Sequence, residues 1–315
     1  MTPVKVHADE WSSVPPDPSS QQYGQNVVAT YPQTNQELFA SPEDAVKSLR
    51  IAVEANDREA LVSIFGPQVK SLLTGDKALD AANRRHFAMA MQERCNLDRQ
   101  GDNEIILEVG TNDWPMPIPL VKSNGQWYFD TVAGKEEVIN RHIGRDELTA
   151  IGICRDYVRA QQQFASDNGG VYAQKFKSTT GKRDGLYWTS EDNEPGSAFG
   201  PLVAEAGQEG EHKGAQPFHG YYFKILTAQG SDAPGGSEDY MSGGQLKKGF
   251  ALVAYPQDWG HSGIMTFIVN QDGTVYQRDF GPKTSRLALR VKEYNPDKNW
   301  TLVHDEGILD AASSQ

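Results

Sequence analysis

One stretch of the sequence, residues 218–282, decides the fold of the C-terminal half. It reads Gly220-Tyr-Tyr-Phe-Lys-Ile-Leu, then Gly249-Phe-Ala-Leu-Val-Ala-Tyr-Pro, then Gly263-Ile-Met-Thr-Phe-Ile-Val-Asn-Gln-Asp-Gly-Thr-Val-Tyr. Each run is short, rich in β-branched and aromatic residues, and bounded by glycine, proline or an Asp-Gly pair, which is typical of strands joined by tight turns. The stretch predicts a compact antiparallel sheet, with the Gly-rich insert before Gly249 as a hairpin excursion and Asp272-Gly273 as a hairpin turn.

The segments around this sheet are predicted from their composition and periodicity. Residues 134–166 are expected to form a long helix with a hitch at Ile143-Gly144. Residues 166–217 are irregular, with short helical pieces expected at 172–176 and 201–206 and with aromatic side chains that clamp the loop. A short helix is expected within residues 286–300, and residues 301–315 form a frayed tail.

The N-terminal half predicts a second module. Residues 1–37 are polar and Pro-rich, typical of a flexible leader. Helices are expected to begin at Ser41-Pro42 and Arg58, with a third over 78–94 that carries Phe87, Met91 and Cys95 on one face. Strands follow over 104–109, 117–122 and 126–130, the last two joined by a turn at Asn124-Gly125. The fold class is α+β, with domains at residues 38–134 and 135–300.

Composition excludes some functions. The length of 315 residues suits two domains, and the formal net charge of −12 disfavours nucleic-acid and anionic membrane surfaces. No apolar run approaches the roughly 18 residues that a membrane-spanning helix needs. The N-terminus lacks an apolar signal core, which fits either a cytoplasmic protein or the mature form of an exported one.

Complete catalytic or metal-binding motifs are not found in the sequence. It has no Gly-x-Ser-x-Gly elbow, no HExxH pair and no phosphate loop, and its two cysteines, Cys95 and Cys154, show no zinc spacing. Both cysteines are interpreted as buried thiols in helical stretches, and one disulfide is the alternative. No cofactor or metal is expected.

Candidate ligand-binding residues in the first module are Trp114, Trp127 and Asp130. Trp114 opens a run in which proline alternates with large residues, so it forms either an exposed ledge or a plug in the core. Trp127 lies on a strand whose inner side lines either a filled core or an apolar pocket with Asp130 and His142 as polar ends.

Two polar clusters follow. His142 lies among Arg141, Arg145, Asp146 and Glu147, where it could act as a base, although the two acids are explained more simply as caps of a new helix. Arg183, with Lys182, precedes Tyr187 and Trp188. This cluster either grips a carboxylate, phosphate or sugar, or pins the loop through an ion pair of Arg183.

Residues 38–300 resemble a bacterial envelope family known only as a domain of unknown function. The resemblance is carried by the following segments: Phe39-Ala-Ser-Pro-Glu-Asp-Ala-Val, Asp113-Trp-Pro-Met-Pro-Ile-Pro-Leu-Val, Trp127-Tyr-Phe-Asp-Thr, Asn140-Arg-His-Ile-Gly-Arg-Asp-Glu-Leu, Gly181-Lys-Arg-Asp-Gly-Leu-Tyr-Trp and His219-Gly-Tyr-Tyr-Phe-Lys-Ile-Leu-Thr-Ala-Gln-Gly. Members usually look exported, so the resemblance implies a periplasmic or cell-surface location, with a cytoplasmic one left open.

Two further resemblances concern the fold of each half. The helix-then-sheet order of the first module is similar to the cone of nuclear-transport-factor-2-like proteins. Residues 146–281, with the step Gly169-Gly-Val-Tyr-Ala before the strands, look like the globular head of prepilin-like proteins. A polar α+β module stands where a pilin has its apolar helix, which argues against fibre assembly in the pilin manner.

These observations favour a non-catalytic binding or assembly component of the bacterial envelope, with an envelope protein or a small ligand as partner and no nucleic acid. The alternatives are an enzyme or small-ligand binder that uses a pocket in the first module, and a subunit of a surface fibre.

Overall fold

The computed structural model describes residues 31–72, 77–188, 199 and 217–304. The chain forms two compact units, which meet along the sequence between Arg141 and His142. The α+β class is confirmed, because both units combine helices with antiparallel sheets. Most of the expected leader and tail lies outside the described residues, and the domain boundary expected after residue 134 stays a prediction.

The three α-helices of the first unit begin at or within one residue of the predicted positions, and an additional 3₁₀ helix follows the second. They are α1 (Pro42–Glu54), α2 (Arg58–Phe65), a 3₁₀ helix (Pro67–Leu72) and α3 (Lys77–Glu93). The hydroxyl of Ser41 accepts from the backbone N–H of Asp44 at 3.1 Å and caps α1. Asp57 caps α2, and Gly66, at a φ of 77°, ends it.

The sheet of the first unit is antiparallel and runs in the order β1-β2-β4-β5, with β3 paired to β2. Its strands are β1 (Cys95–Arg99), β2 (Glu104–Val109), β3 (Trp114–Pro115), β4 (Leu120–Ser123) and β5 (Gln126–Phe129). The helical placement of Cys95 is wrong, because α3 ends at Glu93 and Cys95 opens β1. The strand expected over 117–122 begins only at Leu120, since Pro117 and Pro119 cannot donate to the ladder.

Packed side chains fill the interior of the first unit. Leu49 of α1 is fully buried, together with Leu107, Leu120 and Phe129 of the sheet. The Phe129 ring lies 5.0 Å from that of Phe65, edge to face. The apolar face predicted for α1 is therefore confirmed as a core face.

The long helix α4 (Thr131–Asp167) is continuous. The hitch expected at Ile143-Gly144 is wrong. Glycine costs a helix about 1 kcal/mol relative to alanine, and burial of Ala150, Ile151 and Cys154 on the following turns offsets that cost.

The main sheet of the second unit is antiparallel and has the order β14-β13-β12-β11-β6. Its strands are β6 (Tyr221–Leu226), β11 (Ala251–Pro256), β12 (Met265–Asn270), β13 (Val275–Asp279) and β14 (Thr301–Leu302). The insert between β6 and β11 forms two small ladders from β7 (Ala228–Gln229), β8 (Glu238–Asp239), β9 (Met241–Ser242) and β10 (Gln245–Leu246). The predicted Asp272-Gly273 hairpin is confirmed, whereas Thr301–Leu302 form a strand rather than part of a frayed tail.

Both faces of the central strands β11 and β12 are buried. On one face Tyr157 of α4 packs against Phe250 and Leu252. On the other face Val253, Tyr255 and Ile268 pack with residues of the insert between β6 and β11, such as Tyr240, and with residues that follow β13. These include α5 (Thr284–Ala288), shorter and earlier than the helix expected within 286–300.

The irregular segment after α4 is held by its aromatic side chains. The Tyr172 ring lies 4.8 Å from Phe250, and the Phe176 ring lies 5.9 Å from Phe199. The helical piece expected over 172–176 is wrong, because the Tyr172 N–H bonds to the carbonyl of Leu246 in an extended conformation. The helical piece expected over 201–206 lies outside the described residues.

Candidate functional site

Trp114 acts as a plug rather than an exposed ledge. It lies on β3, is half-buried and packs against the core of the first unit, with its ring 6.5 Å from that of Phe87. The Arg141 guanidinium lies 5.7 Å from the Trp114 ring centroid and donates to the carbonyl of Pro115.

Trp127 and Asp130 also have structural roles. Trp127 is 5% exposed and belongs to the filled core of the first unit. Asp130 is buried, and its Oδ1 accepts from the backbone N–H groups of Val132 and Ala133, so it caps α4. His142, expected at the same pocket, belongs to the second unit.

Arg183, Tyr187 and Trp188 lie together in the loop of the second unit. The Arg183 guanidinium stands 5.5 Å from the Trp188 ring centroid, and Tyr187 pairs through its main chain with Phe176. Asp184 ties the loop down, because its Oδ2 lies 2.8 Å from Nζ of Lys175. Asp184 therefore pins the loop, and the ion pair expected of Arg183 stays a prediction.

His142 leads to a different site, centred on a buried carboxylate. Nε2 of His142 lies 3.2 Å from Oδ2 of Asp146, and Nδ1 of His219 lies 3.8 Å from Oδ1. Asp146 is 2% exposed, whereas the imidazoles of His142 and His219 are 52% and 40% exposed. We call His142, Asp146 and His219 the Asp146 site.

Helix α4 and the turn before β6 build the Asp146 site. His142 and Asp146 are four residues apart on one continuous helix, which places them on the same face. His219 and Gly220 have positive φ angles of 44° and 67°, so the turn brings the second imidazole over the carboxylate. A Cβ on Gly220 would lie 2.5 Å from Cβ of Ser262 and 3.0 Å from Oδ2 of Asp146.

Hydrogen bonds from neighbouring side chains hold the backbone around the Asp146 site in place. Oε1 of Glu147 accepts from the backbone N–H groups of Ile264 and Met265 at 2.8 and 2.9 Å. The Tyr221 hydroxyl donates to the carbonyl of Met265. Burial raises the pKa of Tyr221 well above its ordinary value, and the charges of Glu147 and Asp146 raise it further. Glu147 and Asp146 thus place negative charge near Tyr221, while the Arg145 guanidinium places positive charge near His142.

One oxygen of the Asp146 carboxylate lacks a donor. Oδ2 is buried and receives no hydrogen bond, because the contact with His142 does not meet hydrogen-bond geometry. The Nδ1 atom of His142 lies 3.1 Å from a guanidinium nitrogen of Arg145. Buried acceptors are nearly always satisfied, so an orphaned carboxylate oxygen points to a ligand or partner group.

Among the described residues, other buried polar atoms without a hydrogen-bond partner are Nη2 of Arg84, Oδ1 of Asp113, Nε1 of Trp188 and Oγ1 of Thr266. Over the ranges that the structure describes, no set of three or more His, Cys, Asp and Glu side chains is placed to hold a metal ion. Cys95 and Cys154 are free thiols, and burial raises the pKa of Cys154 to about 12.

The sequence interpretation missed the centre of this site. The interpretation of Asp146 and Glu147 as caps of a new helix is wrong, because α4 does not restart there. The spacing of four residues between His142 and Asp146 could have indicated the pair, because residues four apart on a continuous helix lie on the same face. His219 gave no local signal, since only the tertiary fold brings it to α4.

Comparisons with other proteins give one assignment. Within the described part of the chain, no helix is long and apolar enough to cross a membrane. Neither a curated protein nor a solved structure matches the chain. A family model described as "Protein of unknown function (DUF2950)" matches residues 36–303. The family suggested by the sequence segments is thus confirmed as an uncharacterised one, and the chain belongs to the DUF2950 family.

Proposed function

We propose that this protein is a non-catalytic binding component of the bacterial cell envelope, located in the periplasm or at the cell surface, and that it binds its partner at the Asp146 site. The observation that carries the binding role is the buried carboxylate of Asp146, which has an oxygen without a donor beneath two half-exposed imidazoles. Such an arrangement is incomplete by itself and is completed by a bound group.

A non-catalytic role is supported by what the other polar side chains do. Asp130 caps a helix, Asp184 ties a loop to Lys175, and Glu147 binds two backbone N–H groups. Each of these three acids has a structural role, so none of them serves as a second catalytic carboxylate beside Asp146.

The envelope location rests on the resemblance of residues 38–300 to proteins that usually look exported. The net charge of −12 agrees with a partner other than nucleic acid. A pocket in the first unit, the alternative binding site, has less support because packed side chains surround Trp127.

Location and binding are tested separately. Fractionation of a bacterium that carries the gene should place the protein with periplasmic or surface markers, and recovery only with cytoplasmic markers would overturn the location.

For binding, the immobilised protein is incubated with solubilised envelope from the same bacterium. Retention of a specific envelope component should be lost in Asp146→Asn and kept in Asp258→Asn. Asp258 is a suitable control because it is an exposed acid 3.4 Å from His261. Equal retention by both variants would contradict binding at the Asp146 site.

A further inference from the structure

The chemistry of the Asp146 site restricts what it can bind. Two carboxylates, Asp146 and Glu147, lie next to each other on α4, and both raise the pKa of Tyr221 through their charge. Oε1 of Glu147 accepts from two backbone N–H groups at the start of β12. Oδ2 of Asp146, in contrast, is a buried acceptor without a donor.

A carboxylate accepts hydrogen bonds only, so the missing group must be a donor. A cationic donor is favoured over a neutral one because the acceptor is a buried carboxylate oxygen and charge-assisted hydrogen bonds are the stronger kind. A bound metal ion fits less well, because the described His, Cys, Asp and Glu side chains form no group placed to hold one.

We infer that the Asp146 site receives a primary ammonium group of the kind carried by a lysine side chain, which donates to Oδ2 of Asp146. This inference deepens the proposed function and rests on it, because it names the ligand class of the same site.

The partly exposed imidazoles of His142 and His219 lie between the Asp146 carboxylate and solvent. His142 is half-exposed and stands 3.2 Å from Oδ2, and its ring must turn away from the Arg145 guanidinium, 3.1 Å from its Nδ1, to admit a ligand. His219 covers the opposite oxygen at 3.8 Å, beyond hydrogen-bond distance. Gly220 lies directly against the carboxylate, because a Cβ there would stand 3.0 Å from Oδ2 of Asp146. A slender alkyl-ammonium chain fits this approach better than a broad planar group does.

The test uses two short peptides, acetyl-Gly-Lys-Gly-amide and its norleucine counterpart, which lacks only the ammonium group. Each is titrated into the full chain while the imidazole resonances are followed by NMR. We expect saturable shifts of His142 and His219 with the lysine peptide, and binding at least about tenfold weaker for the norleucine peptide. Equal binding of both peptides, or no saturable shift with the lysine peptide, would overturn the inference.

Three variants assign the effect to the carboxylate. Asp146→Asn should weaken lysine-peptide binding by about tenfold or more, whereas Asp258→Asn should leave it unchanged. His142→Ala should bind at least as tightly as the wild type, because the ring that covers Oδ2 is gone. Lost binding in a folded His142→Ala protein would make the imidazole the receptor and contradict the inference.

The outcomes separate the two proposals. If Asp146→Asn abolishes envelope retention while the lysine peptide fails to bind, the proposed function stands and the ammonium assignment falls. If the lysine peptide binds at Asp146 but envelope retention does not depend on this residue, the proposed function falls.

Discussion

Oε1 of Glu147 lies 2.8 Å from the backbone nitrogen of Ile264, and this bond ties helix α4 to the residue before β12. The same oxygen accepts from Met265. Glu147→Ala leaves both N–H groups without this acceptor and is expected to destabilise the second unit by about 2–3 kcal/mol. Hydrogen exchange of the Ile264 and Met265 amides measures the effect. Glu136→Ala, an exposed acid on the same helix, should leave both exchange rates unchanged, and equal effects of the two variants would contradict the role given to Glu147.

Gly220 is required for two reasons that a pair of variants can separate. Its φ of 67° strains any other residue, and a Cβ would meet Ser262 at 2.5 Å. Gly243 has a φ of 60°, but no atom lies within 4 Å of its Cβ position. We expect Gly243→Ala to cost about 1 kcal/mol and Gly220→Ala clearly more, measured as the fall in Tm. A smaller fall in Tm for Gly220→Ala than for Gly243→Ala would show that a Cβ at Gly220 does not clash with Ser262.

Gln161 joins α4 to the irregular loop. It is fully buried, donates to the carbonyl of Ala173 at 2.8 Å and accepts from the Ala173 N–H at 2.8 Å. Gln161→Ala orphans both backbone groups, so we expect a loss of about 2–4 kcal/mol in the free energy of unfolding. Gln163→Ala is the control, because the exposed Gln163 amide donates to Asp167 on the same helix, and this substitution should cost under about 0.5 kcal/mol. Comparable urea midpoints for the two variants would refute this role.

Acid should loosen the loop around Asp184. The hydrogen bond from Lys175 is the main cause that holds the pKa of Asp184 below its ordinary value of 3.8, and bonds from Thr179 add to it. When folding lowers the pKa of a carboxyl, the ionised group stabilises the folded state at pH values above its pKa in the unfolded chain. This stabilisation is lost as the pH falls through its pKa in the folded state.

An NMR titration of the Asp184 carboxyl should therefore show a midpoint below 3.8, and Lys175→Met should raise it. A midpoint at 3.8 or above in the wild type would rule out this pairing in solution.

Cys154 should be inert in the native protein. Burial raises the pKa of its thiol to about 12, so little reactive thiolate exists at neutral pH. Alkylation with iodoacetamide, followed by mass spectrometry, should label Cys154 only after denaturation. Half-buried Cys95 should react first, and fast labelling of native Cys154 would contradict its burial.

Elements with strong local signals were predictable. The cap at Ser41, the stop at Gly66 and the Asp272-Gly273 hairpin each depend on residues within one turn of the chain. Periodicity over Ala45, Leu49 and Val53 identified a core face for the same reason.

Other features depend on contacts between distant parts of the sequence. Strand β1 is five residues long and follows α3 almost directly, so the sequence pattern places Cys95 on the helix. The pairing of β1 with β2 makes this segment a strand instead. The sequence predicts a break at Gly144 because glycine disfavours a helix. Packing of residues further along α4 keeps the helix continuous. The Asp146 site combines both problems, because it needs an unbroken α4 and a histidine that lies 73 positions further along the chain.

Strand β11, Ala251–Pro256, is buried along its whole length and carries no charged side chain. Before the sheet closes over it, such a segment is able to pair with the same segment of another molecule and to start an amyloid-like stack. Lys247 and Lys248 precede it, Asp258 follows it, and Pro256 cannot extend a ladder, so the segment is flanked by residues that oppose aggregation. The solubility of the chain during folding therefore depends on these four residues, none of which belongs to the Asp146 site.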